Sequence, residues 1–582
     1  MNILELAIKE LLKSRIKNRA DLSSFKRKIA KKYKIQCPNN IELLKVYHEL
    51  LKKKRVKKSV RVDEAKASSS ASFLLRKNSL IENLLITRPI RSLSGIVNVS
   101  VLTKPYPCPG KCIYCPFEKG MPKSYLSGEP AAERAKRLKF NPYLQVKKRI
   151  EMLENEGHST DKIELRIVGG TWSYYPKHYQ NWFVKRCFEA GNNRNSKLKN
   201  RASIYGSEGE EEDKVLFACQ NLKIIQRQNE KAKHRIVGLS VETRPDFITI
   251  SEIKQLRKLG VTMVELGVQS IYDDVLKKNL RGHGVKETIL ATKLLKDAGF
   301  KVLYQMMPNL PGSDLKRDEE MFEELFQNPD FQPDYLKIYP CAILKEAPLH
   351  KLYLKGKYKP YSNEELIDLI KKIKLEIPYY VRIQRITRDI PSKYIVEGGA
   401  RISNLRQIVQ EEMKKEGLKC KCIRCREIRE KYTPEEKIYL FRENYEASGG
   451  KEIFLSFENK NHQKLFSFLR LRIPAYALRV SASKPSQNQK MSGDGPLAVF
   501  PVLKNAAIIR EIQTFGEVVP IGEKKIAPQH RGLGKKLIKE AEKIVKNELG
   551  LKKMAVISGI GTRGYFQKFG YKLRETYMVK EL

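Results

Sequence analysis

Apolar residues recur in two rhythms along this chain. Near the start, Leu4, Ile8, Leu11 and Leu12 fall on one helical face, and a second helix is predicted over residues 41–51. Residues 1–62 are therefore expected to form a small helical segment. The Ser-rich stretch that follows, within 63–84, has linker composition. From about residue 85 to 400, short β-branched runs alternate with helical stretches. Residues 95–103, 163–168, 236–241, 262–268 and 301–306 are predicted strands, and 286–298 a helix with Gly299 as its C-cap. This alternation predicts a parallel sheet with crossover helices, here a partial (β/α) barrel.

A linker over 401–434 leads to a different rhythm. Residues 471–473, 506–513 and 553–557 are predicted strands. A helix opening at Gly534 carries Leu537, Ile538, Ala541, Ile544 and Val545 on its core stripe and ends at Gly550. Residues 435–582 thus read as a second α/β domain. A polar insertion at 196–214, with acidic residues at 210–213, is expected on the surface.

The chemistry concentrates where the first barrel strand ends. Lys104-Pro-Tyr-Pro107 stops the strand, and Cys108-Pro-Gly-Lys-Cys112-Ile-Tyr-Cys115 follows. Three thiolates on one short loop can hold three irons of a 4Fe-4S cluster, leaving the fourth iron open to S-adenosylmethionine. A zinc knuckle closed by a distant residue is the competing reading. The second strand ends in Gly169-Gly170, where backbone can approach a ligand closely. Barrel chemistry sits past the C-terminal ends of strands, which marks Glu242, Arg244, Gln269, Ser270, Met307 and Pro308 as substrate contacts or interior hydrogen-bonding groups.

Two further motifs lie downstream. Cys420, Cys422 and Cys425 have metal-ligand spacing and point to zinc, with Cys341 or a distant His as fourth ligand. Lys414, Lys415, Lys419, Lys421, Arg424 and Arg426 surround them. Gln529-x-x-Gly532-x-Gly534 opens directly into a helix, and a glycine turn at a helix N-terminus cradles phosphate. Tyr565 and Phe566 begin a later helix.

Charge narrows the partner. The 582 residues carry 113 Lys+Arg against 66 Asp+Glu, a formal net charge of +47. Such an excess favours a polyanion, and nucleic acid is the commonest one. Seven of the ten residues in 52–61 are basic. No apolar run approaches the length of a membrane span, and the N-terminus lacks a signal-peptide pattern. Six of the ten cysteines sit in the two tight clusters, which suits metal better than disulfides. A cytoplasmic protein that does not engage a membrane is expected.

The Gly-Gly turn resembles that by which radical enzymes hold the amino group of S-adenosylmethionine, and the Gln529 motif resembles that of the GNAT acetyltransferases. The pairing of the two resembles the Elongator catalytic-subunit family of tRNA uridine acetyltransferases. The likeness extends over nearly the whole chain, through Arg91-Ser-Leu-Ser-Gly95, Gly157-His-Ser-Thr-Asp-Lys162, Val241-Glu-Thr-Arg-Pro-Asp246, Leu266-Gly-Val-Gln-Ser270, Arg281-Gly-His283, Met306-Met-Pro308 and Val556-Ile-Ser-Gly-Ile-Gly-Thr-Arg563.

The resemblance implies a 5-carboxymethyl group formed on wobble uridine 34, in the anticodon loop of tRNA. A 5′-deoxyadenosyl radical would abstract hydrogen from the acetyl group of acetyl-coenzyme A, the acetyl radical would add to C5, and thioester hydrolysis would follow. It implies catalytic roles for Cys108, Cys112, Cys115, Lys162 and Tyr565, with Lys162 meeting acetyl-coenzyme A near the radical site. Cofactor contacts fall to Lys104, Lys162, Gly169, Gly170, Glu511, Ile512, Gln513, Thr514, Gln529, Gly532, Leu533, Gly534, Lys535, Tyr565 and Phe566. The family's second tyrosine is here Phe566, so its hydroxyl is missing. The compact cysteine spacing and the second cysteine cluster fit the bacterial and archaeal form, implying a stand-alone enzyme that draws on an electron donor and needs no obligatory protein partner.

Two alternatives are a protein lysine acetyltransferase and a tRNA-binding scaffold without turnover. The positive charge disfavours the first, since basic protein tails would be repelled, and the intact motifs disfavour the second. Deleting residues 1–62 should weaken tRNA binding and flatten its dependence on salt, because each lost phosphate contact removes released counterions. An unchanged slope of log affinity against log salt would refute a role for this segment.

Overall fold

Side-chain caps start the N-terminal helices. Asn2 accepts from the Leu4 amide at the head of Ile3–Lys13, and Asn18 with Asp21 forms a capping box at Arg19–Tyr33. A third helix runs Asn40–Val60. Their apolar faces, with Ala7, Ile8, Leu11, Leu22, Ile29, Leu43, Leu44 and Tyr47, close around Ile81 and Leu85 of a short helix, Ser79–Leu85. That helix begins inside the stretch expected to be a linker. The helix Arg19–Tyr33 escapes the sequence pattern because it is polar and basic over most of its length. The computed structural model describes residues 2–60, 79–88, 91–192, 222–402, 404–429, 435–478, 495–516 and 531–582. The acidic insertion at 196–214 falls outside them. The chain divides into two compact units, Met1–Leu93 with Lys148–Thr160, and Ser94–Lys147 with Asp161–Leu582.

In the second unit the β-branched runs form strands β1 (Val97–Leu102), β2 (Lys162–Val168), β3 (Arg235–Thr243), β4 (Met263–Gln269), β5 (Lys301–Met306), β6 (Tyr335–Ile338), β7 (Ile343–Leu344), β8 (Arg382–Arg385) and β9 (Ile395–Glu397). Seven of them pair in the order β1-β2-β3-β4-β5-β6-β8, every pair parallel. No pairing joins β1 to β8, so the sheet is an open half-barrel. Helices such as Val285–Asp297 provide the crossovers. Every residue of β4 is buried, as expected of a strand covered on both faces.

The same unit continues into β10 (Tyr439–Ala447), β11 (Gly450–Glu458), β12 (Leu465–Ile473), β13 (Ala506–Thr514), β14 (Lys553–Val556), β15 (Lys572–Arg574) and β16 (Tyr577–Glu581). Their order is β10-β11-β12-β13-β14-β16-β15, and only β13 and β14 run parallel. The register against β12 passes from Leu471 opposite Ile509 to Arg470 opposite Glu511, which leaves Arg510 as an extra residue in β13. Pairing of β13 with β14 stops at Ile509, so the two strands part beyond the bulge.

The half-barrel and this sheet meet through buried charge. Asp334, just before β6, takes Arg510 Nη2 on Oδ1 at 2.6 Å and Nη1 on Oδ2 at 2.8 Å. Arg510 also reaches Glu452 Oε2 at 2.9 Å. Arg472 pairs with Asp297 and Glu452, and Arg470 Nε with Glu511 Oε2 at 2.9 Å. Lys296 Nζ stands 3.9 Å from both Asp334 and Glu452. Around the network, Tyr577 donates to the Ala298 carbonyl at 2.8 Å and Arg257 to that of Thr576 at 2.6 Å. Asp334 and the Arg470 side chain are fully buried, and removing one partner from a buried pair strands the other charge. Asp334→Asn should therefore cost about 3–5 kcal/mol, seen as a lower urea midpoint. An unchanged midpoint would show that the network contributes nothing to stability.

Candidate active site and thiol clusters

The cysteine loop lies past the C-terminal end of β1. Cys112 is buried, and Cys108 and Cys115 are half-buried. A Cβ placed on Gly110 would lie 3.5 Å from Cys112 Sγ, 3.7 Å from Cys108 Sγ and 2.8 Å from Arg244 Nη1, so glycine leaves a cradle between two thiols and a guanidinium. Cys108 Sγ lies 3.8 Å from Thr171 Oγ1, which brings the loop against the turn after β2. Gly169 and Gly170 in that turn have φ of 138° and 95°, and a Cβ on Gly169 would collide with Thr103. Lys104 lies beside them, its amide donating to the Tyr179 hydroxyl at 3.1 Å and its Nζ 5.1 Å from the centre of that ring.

Cations surround the thiols. Arg281 Nη1 reaches Cys112 Sγ at 3.5 Å, and Arg244 is held bidentate by Asp246. Burial opposes ionisation of Cys112, but the charge and hydrogen bond of Arg281 outweigh it and lower the thiol's pKa. Burial pushes Cys115 up to about 12. Buried polar atoms without a partner cluster here: Arg244 Nη1, Arg281 Nε and both ring nitrogens of His283. Burial, then the charges of Arg281 and Arg244, push His283 down to about 2. Three thiols, a cradle and unpaired donors fit an anionic iron–sulfur group. The sequence motif Arg281-Gly-His283 carried the resemblance but signalled no role.

The polar residues expected past the strand ends divide. Arg244 joins the cysteine loop. Glu242 is an interior group, accepting from Tyr125 at 2.7 Å and Gln305 at 3.3 Å and facing Lys337 at 3.4 Å. Lys337 also pairs with Glu265, which takes Arg166 at 2.7 Å. Ser270 Oγ accepts from the Tyr272 amide at 3.2 Å. Gln269 has φ 76° at a break in the β4–β5 register. Met307 packs into an apolar cluster, and the Pro308 carbonyl takes the Cys341 amide.

A second group forms at the other end of the half-barrel. Alternation along β13 sends Glu511 and Gln513 to the barrel side: Glu511 meets Tyr335 and Arg470, and Gln513 donates to the Ser94 carbonyl at 2.9 Å. Ile512 and Thr514 face the other way. A Cβ on Gly534, in the first turn of the helix Leu533–Lys543, would lie 2.7 Å from the Tyr565 hydroxyl, 3.6 Å from Ile512 and 3.9 Å from Thr514. Gly532, at φ 69°, is the N-cap. Leu533 is core and Lys535 exposed. Phe566, offered as a cofactor contact, is instead buried against Tyr571, and Tyr565 is the aromatic at the turn. Gln529 lies outside the described residues.

Lys162 does not stand near the cysteine loop. It is the first residue of β2, six positions before Val168, and a strand rise of about 3.3 Å per residue puts it roughly 20 Å from the Gly169 turn. It pairs with Arg235, against which Gly561 of the C-terminal sheet packs. Burial lowers its pKa, opposed by Asp161.

The Cys420, Cys422 and Cys425 sulfurs all lie within 4.8 Å of one another. Cys341 is not their fourth ligand. It follows the C-terminal end of β6 in an apolar cluster with Tyr358, whereas the Ile423 amide bonds to Val381 at the N-terminal end of β8. The triad's neighbours are Lys374 Nζ, 3.5 Å from Cys425 Sγ, and Gln410 Nε2 at 3.8 Å. Among the described residues no His, Cys, Asp or Glu completes it, and no helix is long and apolar enough to cross a membrane.

Residues 106–325 match the Radical SAM superfamily, and 333–415 the Radical_SAM C-terminal domain. A tRNA uridine(34) acetyltransferase of Methanocaldococcus infernus is 45% identical over 513 residues, covering 86% of this chain and 88% of the relative. One from Dehalococcoides mccartyi is 41% identical, covering 84% and 99%. Elongator complex protein 3 of Homo sapiens is 36% identical, covering 86% of each. The solved structure of Methanocaldococcus infernus Elp3 with an N-terminal deletion superposes with a TM-score of 0.67 at 43% identity, covering 84% of this chain and all of that one.

Proposed function

Because the chain belongs to the family of the tRNA uridine(34) acetyltransferases and Elongator complex protein 3, we propose that it builds the 5-carboxymethyl group on wobble uridine 34 of tRNA from acetyl-coenzyme A. The observation that carries this reading is the meeting of the cysteine loop with the Gly169-Gly170-Thr171 turn at one end of the half-barrel. Cys108, Cys112 and Cys115 would hold a 4Fe-4S cluster, and the glycine turn would leave backbone free to bind the amino group of S-adenosylmethionine. Together, when bound, those two groups supply a hydrogen-abstracting radical from an electron delivered by an external donor.

The C-terminal sheet is read as a GNAT acetyltransferase domain. Support comes from the parting of β13 and β14 beyond the Arg510 bulge, and from the convergence of Ile512, Thr514, Gly534 and Tyr565. The amides opening the helix at Leu533 would take the phosphates of coenzyme A. Lys162 lies at the end of β2 near this domain and would face the acetyl donor from the barrel side. The net charge of +47 and the basic N-terminal segment favour RNA as the partner of a stand-alone cytoplasmic enzyme.

Zinc on Cys420, Cys422 and Cys425 would brace the join between the two domains. Protein as purified should then carry zinc beside iron, and replacing these thiols with serine should lower the unfolding temperature while S-adenosylmethionine cleavage is kept. Metal-free protein of full stability would rule the zinc site out.

Gly534→Glu puts bulk and negative charge where phosphates should bind, against the Tyr565 hydroxyl. Acetyl-coenzyme A binding should fall sharply, tRNA binding should persist, and carboxymethyluridine should vanish from nucleoside mass spectra, as it should in Cys108→Ala. Cys108→Ala should also lose S-adenosylmethionine cleavage, which Gly534→Glu should retain. Modified uridine formed by Gly534→Glu without acetyl-coenzyme A binding would show that the two domains run separate reactions.

A further inference from the structure

Arg281 is buried, 7% exposed, yet among the described residues no carboxylate pairs with it. Its hydrogen bonds go to the Gly267 carbonyl and to Cys112 Sγ, and its Nε has no partner. A buried guanidinium without an acid is costly unless an anion is supplied. Three glycines clear space for this arrangement. A Cβ on Gly267 would lie 2.7 Å from Arg281 Nη2. One on Gly282 would lie 3.2 Å from Arg244 Nη2, and one on Gly110 would lie 2.8 Å from Arg244 Nη1. Arg244 shares its charge with Asp246, and its Nη1 is unpartnered. His283, 8% exposed with neither ring nitrogen paired, lies within reach of both guanidinium charges. No part of the proposed reaction uses Arg281 or His283.

We propose that Arg281, with Arg244 beside it, sets the reduction potential of the iron–sulfur cluster by holding positive charge at the Cys112 sulfur. The inference rests on the cluster proposed above. Reduction adds an electron to an anionic group, so a nearby cation favours the reduced form and raises the potential, as does a hydrogen bond to a ligating sulfur. Asp246 works in the opposite direction, because its carboxylate offsets Arg244.

The test is a potentiometric titration, followed by electron paramagnetic resonance, of reconstituted full-length protein after iron and sulfide are counted. Arg281→Gln should keep the iron count of the unaltered protein and shift its potential to a more negative value, and Arg281→Lys should recover most of that shift. Asp246→Asn removes the offsetting carboxylate and should shift the potential to a more positive value. Opposite shifts are not produced by general damage to the fold. If Arg281→Gln does not fold, Asp246→Asn decides alone. Potentials equal to that of the unaltered protein in cluster-loaded Arg281→Gln or in Asp246→Asn would overturn the proposal. Failure of the unaltered protein to take up iron would overturn the cluster reading, and this inference with it.

Discussion

Asp334 gives both carboxylate oxygens to one guanidinium, that of Arg510, and accepts the Val302 amide besides. This interaction spans the join between the half-barrel and the C-terminal sheet, and much of the unit depends on it. Burying charge is unfavourable unless each ion is matched and hydrogen-bonded. Here Lys296, Arg470, Arg472 and Arg510 meet Asp297, Asp334, Glu452 and Glu511, and Lys293 and Lys301 reach Asp297 and Glu511 from the edge. The bulge at Arg510 makes the match possible. An extra residue in β13 lets Arg510 and Glu511 both reach partners across the join, and it parts β13 from β14, opening the side where Ile512 and Thr514 face Gly534. One backbone irregularity thus serves both the join and the candidate acetyl-donor site.

The half-barrel sorts its polar side chains by height. Near the cysteine loop, unpaired donors face the thiols. Below them, Arg166, Glu242, Glu265 and Lys337 form a chain of ion pairs that leaves Arg166 Nε without a partner. Several unpaired atoms therefore surround the thiols, as expected where a ligand completes that layer, while the ion pairs below belong to the scaffold.

Much of this was legible in the sequence. The strands at 163–168 and 301–306 fall within a residue of their observed bounds, because short apolar-rich runs punctuated by Gly169, Gly299 and Pro308 leave a plain signal. The convergence of Cys420, Cys422 and Cys425 was legible from spacing alone. The join was not. In β12 the run Leu469-Arg470-Leu471-Arg472-Ile473 alternates as a half-exposed strand would, and both arginines should face water. They are buried instead, since a second charged surface covers them, and periodicity within one strand cannot reveal what lies opposite. Cys341 was misplaced for a related reason. Residue spacing says which end of a strand a side chain occupies, but not which distant groups share that end. Arg281 was visible only as part of a motif, because its role depends on Cys112, far away in sequence.

The matched charges at the join also bear on how such a chain can change over generations. A substitution at Asp334 or Arg510 alone leaves an ion stranded, so neither position can drift independently of the other. Recombination that brings a barrel from one lineage to a C-terminal sheet from another succeeds only if both carry the same pattern of charges. A chimera of the half-barrel and the C-terminal sheet therefore has to exchange the acids and the arginines together.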